Sequence, residues 1–321
     1  MIDIIAFDRL HVLFGIIHPT IYGSEHTCNV RVISWVINYG HTHLLQEIVS
    51  NVERNDHNSS LVFGSDVMEN TRLLLLGCYS DTLDMVELIL KYVDPKCIDT
   101  DFTFVSLITR NVTPLIAGCM IGKLCIVKTL LRNHADINKC NNRNTSPLFT
   151  ASSHGHIDVV EYLLNSGADI NLTDILGQSP LFAASMSGHC DVVECLLRYG
   201  AEINLCDNRG QSLLLLASKS GLCDVVKCLL SSGAKINLCD RNKQSPLFLA
   251  SMSGHCDVVK GLLSSGAKIN LCNINEQSPL FLASNSGHCD VVKCLLSSGA
   301  DINLCDRNGQ SPLSIASLKE Q

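Results

Sequence analysis

S-P-L-F-L-A-S-N-S-G-H-C-D-V-V-K-C-L-L-S-S-G-A-D-I-N-L-C-D-R-N-G-Q spans residues 278–310, and residues 245–277 repeat it with six substitutions. Ser146, Ser179, Ser212, Ser245, Ser278 and Ser311 open the same unit at intervals of 33, and Thr113 opens one more in register. A fixed period of this length means stacked supersecondary units, none of which can bury its apolar face alone. The period therefore overrides the two or three globular domains that 321 residues would otherwise suggest.

Each unit has a physical reading. The Ser278 hydroxyl can accept from free N–H groups at a helix start, and Pro279 suits the first helical position, where a missing N–H costs nothing. Leu280, Leu282 and Ala283 supply a short apolar helix that Gly287 stops. A second helix follows, with Asp290 in its favourable first turn and Val291, Val292, Leu295 and Leu296 forming one apolar stripe. Gly299 ends that helix. Residues 300–310 are short and polar at the tip, Asp306–Gly309, and read as a β-hairpin-like turn.

This pattern resembles the ankyrin repeat. The family's T-P-L-H-x-A-A stands here as S-P-L-F-x-A-S, and its G-H-x-x-V-V-x-x-L-L-x-x-G-A-D-x-N is almost intact. The resemblance is strong over residues 113–321. One departure is systematic: the family's His after P-L is Phe149, Phe182, Phe248 and Phe281, and Leu215 in a weaker unit. Apolar packing must then do the joining that this His does by hydrogen bonds in the family. The expected fold is all-α, an ankyrin-type helical-repeat solenoid with short β-hairpin-like loops.

Three divisions are expected. Residues 1–30 read as an N-terminal cap, with the end of an upstream domain as the alternative. Residues 31–112 hold two divergent repeats with longer loops. Val32, Ile33, Trp35, Val36 and Ile37 match a first helix, Leu44, Leu45, Ile48 and Val49 a second, and Leu74–Cys78 with Leu83–Leu90 the next pair. Residues 51–70 and 94–112 read as loops, and Gly40, Asp81 and Gly122 mark the matching site at spacings of 41. Residues 113–321 hold six regular repeats and a half-repeat from Ser311, which reads as a C-terminal cap or as the cut edge of a longer array.

Composition narrows the function. A net charge of −7 and a pI near 5.9 give no basic footprint for non-specific nucleic-acid binding. No run reaches the 18 apolar residues of a membrane span, and Asp3 and Asp8 interrupt the apolar N-terminus where a secretory signal would lie. Many of the seventeen cysteines fall on the lattice, as with Cys190, Cys223, Cys256 and Cys289. Equivalent positions in stacked helices sit roughly 10 Å apart, beyond the roughly 7 Å between Cα atoms that a disulfide allows. Free thiols in a reducing cytoplasmic or nuclear setting are expected, not a secreted disulfide framework.

Catalytic patterns are chance matches. Gly118–Leu124 resembles a phosphate loop but is one residue short between glycines and has Leu124 where a hydroxyl must reach magnesium. The pairs His189-Cys190, His255-Cys256 and His288-Cys289 lie one repeat apart, too far to share a metal ion. Ser153, His154 and Asp158 suggest a triad only in isolation. The expectation is a monomeric, non-catalytic protein without cofactor or metal that recognises another protein; the alternative is the sensor arm of a larger signalling protein linked to an NTPase or a ubiquitin ligase.

Further residues follow from the resemblance. It implies contacts at the hairpin tips, Asn142, Arg143, Ile175, Leu176, Asn208, Arg209, Arg241, Asn242, Ile274, Asn275, Arg307 and Asn308, and at the first-helix ends, Met186, Lys219, Met252 and Asn285. Of the six differences between the last two full repeats, Met252/Asn285, Lys268/Asp301, Asn273/Asp306, Ile274/Arg307 and Glu276/Gly309 fall at such places, and only Gly261/Cys294 is on the second helix. Asn171, Asn204, Asn237, Asn270 and Asn303 match the family asparagine that cytosolic hydroxylases modify. Lys243 and Glu276 stand where Gly177, Gly210 and Gly309 do, so a positive φ there would strain both.

Overall fold

The structure is a computed structural model. It describes residues 33, 34, 36, 37, 39–54, 66–80, 82–100 and 112–318, with side chains described only to residue 50 in the first long stretch. The expectations for residues 1–30, Val32, Trp35 and Asp81 lie outside the described residues, as do residues 55–65 and 101–111 of the expected loops. Residues 1–142 and 143–321 form two compact units. Among the described residues the elements are sixteen α-helices and one 3-10 turn, with no strand; Cys206 and Ser212 form an isolated bridge. The protein is an all-helical repeat fold.

In the first unit α1 is Thr42–Arg54, α2 Val67–Tyr79, α3 Leu83–Tyr92, α4 Pro114–Ile121 and α5 Leu124–Arg132, with the 3-10 turn at Pro95–Ile98. The expected loop at 51–70 is shorter than read: α1 runs through Arg54, and α2 begins at Val67, where Asp66 accepts from the Met68 N–H at 2.9 Å. Most of the apolar residues singled out in the divergent repeats are core, though Leu44, Leu76, Leu83, Leu88 and Leu90 are only half-buried. Ile33, Val36, Ile37, Leu45, Ile48, Val49, Leu73, Leu74, Leu75, Met85, Val86 and Ile89 are all buried.

The second unit repeats one device. Its first helices are α6 Pro147–Ser153, α8 Pro180–Met186, α10 Leu213–Lys219, α12 Pro246–Ser253, α14 Pro279–Asn285 and α16 Pro312–Leu318. Its second helices are α7 Ile157–Asn165, α9 Cys190–Arg198, α11 Cys223–Ser231, α13 Cys256–Ser264 and α15 Cys289–Ser297. The serines cap as their position requires: Ser146, Ser179, Ser212, Ser245 and Ser278 each accept the N–H three residues on, at 3.0–3.3 Å. Each such cap is worth about 1 kcal/mol. First helices pack on first helices of adjacent repeats, and second on second.

Where the family has His, the chain builds an apolar ladder. Leu215, Phe248 and Phe281 join Leu249 and Leu282 in one buried cluster, flanked by the half-buried Leu216, Met252 and Ile315. A different histidine supplies the polar link. Nε2 of His255 and of His288 lies 3.0 and 3.1 Å from the carbonyls of Lys219 and Met252 in the preceding repeat. Their rings rest so close to Gly221 and Gly254 that a Cβ there would meet Nδ1 at 2.6 and 2.7 Å. Leu222 replaces this histidine in the weaker unit, and Gly188, the matching glycine, faces open space.

Candidate functional site

The hairpin tips are not strands but closed turns, and their closure explains their exposure. Asp174, Asp207, Asp240, Asn273 and Asp306 each turn a side-chain oxygen inward to accept the N–H groups two and four residues on, at 2.8–3.0 Å. Each also donates its own N–H to the Gln carbonyl four residues on, at 2.9–3.1 Å. The loop thus satisfies itself, and the two residues after each Asp or Asn point outward. Asn273 and Asp306 are only 7% exposed, so that difference between repeats lies inside the turn and not on the presented surface.

Successive tips are tied edge to edge. The N–H groups of Ile175, Asn208, Ile274 and Arg307 donate to the carbonyls of Arg143, Leu176, Asn242 and Asn275 at 2.9–3.1 Å. At the remaining step the Arg241 guanidinium donates to the Asn208 carbonyl at 2.9 Å; at the step before it the Asn208 side-chain amide also donates to the Ile175 carbonyl at 2.9 Å. The result is a continuous edge in the second unit. Arg143, Asn208, Arg209, Arg241, Asn242, Asn275, Arg307 and Asn308 are all exposed along it. Ile175, Leu176 and Ile274 expose 57%, 53% and 39% of their surface, without a packing role that needs them. Asn142 is exposed in the first unit.

The helix-end candidates differ in availability. Lys219 is exposed, whereas Met186, Met252 and Asn285 are half-buried. Met252 leans on the Leu215–Phe248–Phe281 cluster, so part of its side chain is committed to packing. The repeated asparagines are structural bridges: Oδ1 of Asn171, Asn204, Asn237 and Asn270 accepts the N–H of Glu202, Lys235, Lys268 and Asp301 at 2.9–3.1 Å. Asn303 donates its own N–H to Asp301 at 2.9 Å.

The tip turn does need positive φ: Gly177, Gly210 and Gly309 stand at 74–77°, and Asn144, Lys243 and Glu276 at 55–62°. Neither Asp174 nor its equivalents carried a sequence signal beyond polarity. The spacing that marks them is Asp or Asn, then Gln four residues later.

Chemistry is sparse. Gly118–Ile121 is the end of α4 and Gly122 its left-handed cap, so this stretch is not a phosphate loop. His154 Nδ1 lies 3.0 Å from Ser153 Oγ but also 2.9 Å from the Thr150 carbonyl. A carbonyl only accepts, so Nδ1 carries the proton and is no base for Ser153. Burial pushes the Cys78 and Cys97 thiols up to about 12, which keeps them from acting as thiolates near neutral pH. No metal-binding cluster of His, Cys, Asp or Glu occurs among the described residues. A shallow cavity of about 420 Å³, lined by Glu194, Leu197, Arg198, Ala201, Ile203 and Ser232, includes none of the tip residues.

A profile of ankyrin repeats (three copies) matches residues 73–174, 181–273 and 247–321, more than half of the sequence. The chain belongs to the ankyrin-repeat family. The human ASB11 ankyrin repeat domain, solved as a crystal structure, is 28% identical, with a TM-score of 0.59, over 64% of this chain and 92% of that one. No curated protein matches. Solved chains that match number 555, so the ankyrin fold cannot by itself select a partner. Ankyrin repeats are generally protein–protein interaction modules and typically non-catalytic. No helix among the described residues is long and apolar enough to cross a membrane.

Proposed function

We propose that this ankyrin-repeat protein is a non-catalytic scaffold that recognises a partner protein through the tip edge and the first-helix ends of its second unit. The tied, outward-facing edge carries the reading. A surface already fixed by backbone hydrogen bonds loses little entropy on binding. The helix pairs repeat almost letter for letter while Ile175-Leu176, Asn208-Arg209, Arg241-Asn242, Ile274-Asn275 and Arg307-Asn308 change from tip to tip. Variation on a fixed frame is how loops come to carry specificity.

The test compares capture from a cell lysate by three forms of the full chain: wild type, Ile175→Ser/Leu176→Ser/Ile274→Ser, and Lys227→Ser/Lys260→Ser/Lys293→Ser. Each form is first shown to keep its helical circular dichroism. The tip variant should lose the partner that the other two retain. Equal capture by all three would show that recognition lies elsewhere. Among the repeated asparagines, Asn303 is the proposed hydroxylase substrate, with Leu295 eight residues before it as in the family context. An intact mass without an added oxygen after incubation with such a hydroxylase would remove that proposal.

A further inference from the structure

The 33-residue register hides a second spacing. Cysteines at equivalent positions are a repeat apart, but a diagonal pair 38 residues apart is brought together by the packing of α13 on α15. Sγ of Cys256, the first residue of α13, lies 3.7 Å from the carbonyl oxygen of Asp290, one helical turn before Cys294. A helical side chain leans over the turn N-terminal to its own Cα. Cys294 therefore leans over the spot where the Cys256 sulfur rests. Both side chains are half-buried, so a small reagent can reach them. Cys190 and Cys228 stand on the same diagonal, on α9 and α11, which also pack on each other. Between the two pairs, Cys223 has Gly261 at the partner position.

We propose that Cys256 and Cys294 form a reversible oxidation site, a disulfide that ties repeat 245–277 to repeat 278–310 in the presence of a small disulfide such as glutathione disulfide. One of the two thiolates attacks the glutathione disulfide; its S–S bond breaks, and one glutathione leaves and takes up a proton. The second cysteine, deprotonated in turn, attacks the protein sulfur of the mixed disulfide and expels the other glutathione. Two protein thiols lose two electrons and two protons, and one glutathione disulfide becomes two glutathione thiols. The roughly 10 Å argument against disulfides applies to equivalent positions, not to the diagonal. This site is independent of which surface meets a partner.

The experiment uses the full chain, fully reduced, then exposed to glutathione disulfide, acid-quenched, alkylated and peptide-mapped. The Cys256–Cys294 cross-linked peptide should exceed any link among the exposed Cys125, Cys206, Cys289 and Cys305 by at least about tenfold, because the Cys256 sulfur already rests on the turn of α15 that precedes Cys294. Dithiothreitol should reverse it, and Cys294→Ser should leave Cys256 as a glutathione adduct only. Gly261→Cys should create a new link between Cys223 and the introduced thiol, since a Cβ at Gly261 meets nothing within 4 Å. Glutathione adducts at Cys256 and Cys294 without a link in the wild-type chain, or links scattered among the exposed cysteines, would overturn the proposal. So would a Gly261→Cys chain in which Cys223 and the introduced thiol stay separate.

Discussion

Repeats 245–277 and 278–310 are near copies, and their six differences sort by physical role. Lys268/Asp301 and Ile274/Arg307 are exposed and keep the bonds between repeats, because those use backbone N–H groups; within its own turn Asp301 adds a side-chain acceptor for the Asn303 N–H that Lys268 cannot supply. Asn273/Asp306 is a buried turn acceptor that either side chain satisfies. Glu276/Gly309 sits on a positive φ that only the glycine adopts without strain. Gly261/Cys294 is a mid-helix position. Met252/Asn285 is half-buried at a helix end. The pair teaches that the presented surface varies freely only where the hydrogen bonds of the frame come from the main chain.

The largest expected effect probes what the two repeats share. Phe248 is 1% exposed and lies between Leu215 and Phe281, whereas Phe281 has the half-buried Ile315 as its further neighbour. Phe248→Ala should cost about 3–5 kcal/mol, and Phe281→Ala less, because the site beside Ile315 can collapse more fully. Urea midpoints of the two variants measure the difference. Equal midpoints would show that the apolar ladder does not deepen toward its middle.

Next in size is the turn. Gly309→Glu should destabilise by about 1–2 kcal/mol, and Glu276→Gly should stabilise by about 1 kcal/mol, since a left-handed L-residue bears that strain. Glu276 also approaches Arg307 at 3.8 Å, but both side chains are exposed, and such a pair contributes little. Lys243→Gly should match Glu276→Gly, because Lys243 holds the same left-handed place in its own turn. A lowered midpoint in either Gly variant would contradict the left-handed turn.

The buried hydroxyls sharpen the comparison further. Ser251 Oγ is buried with no hydrogen-bond partner, as are Ser152, Ser185 and Ser218 Oγ at the same place in other repeats. Ser284, its counterpart in the last full repeat, is 8% exposed. Removing an unsatisfied buried hydroxyl recovers about 1 kcal/mol, so Ser251→Ala should stabilise and Ser284→Ala should be nearly neutral. Thermal melts of the two single variants separate these outcomes.

Much of this was legible before any coordinates. The serine caps, the paired helices, the Phe ladder and the positive φ at Lys243 and Glu276 follow from local rules that the tertiary structure does not override. What stayed hidden depends on side-chain direction. Asp174, Asp207 and Asp240 read as polar surface, yet they fold inward to hold their own loops. Asn171, Asn204, Asn237 and Asn270 match the family's modified asparagine, and that each also holds the next repeat was not legible. The cysteine diagonal depends on the offset between neighbouring helices, which a one-dimensional period does not contain. At α1 the helix runs past the expected boundary because Asn51, Glu53 and Arg54 are polar and helical at once, and polarity alone does not end a helix.

The smallest effect isolates the backbone. Gly261 lies inside α13 with ordinary helical dihedrals, and a Cβ built there meets no atom within 4 Å. Gly261→Ala therefore gains no packing and suffers no clash; what changes is the freedom of the unfolded chain and the intrinsic helix preference, worth about 0.5–1 kcal/mol. Cys294→Gly should show the opposite sign and a larger size, because its half-buried side chain is lost as well. If Gly261→Ala raises the urea midpoint and Cys294→Ala leaves it nearly unchanged, the Cys294 sulfur adds little stability and the effect of this difference between the repeats comes from the Cβ and the backbone freedom it removes. A drop on Gly261→Ala would mean that something rests against α13 at that point, and the open space beside Gly261 would then be a contact surface in its own right.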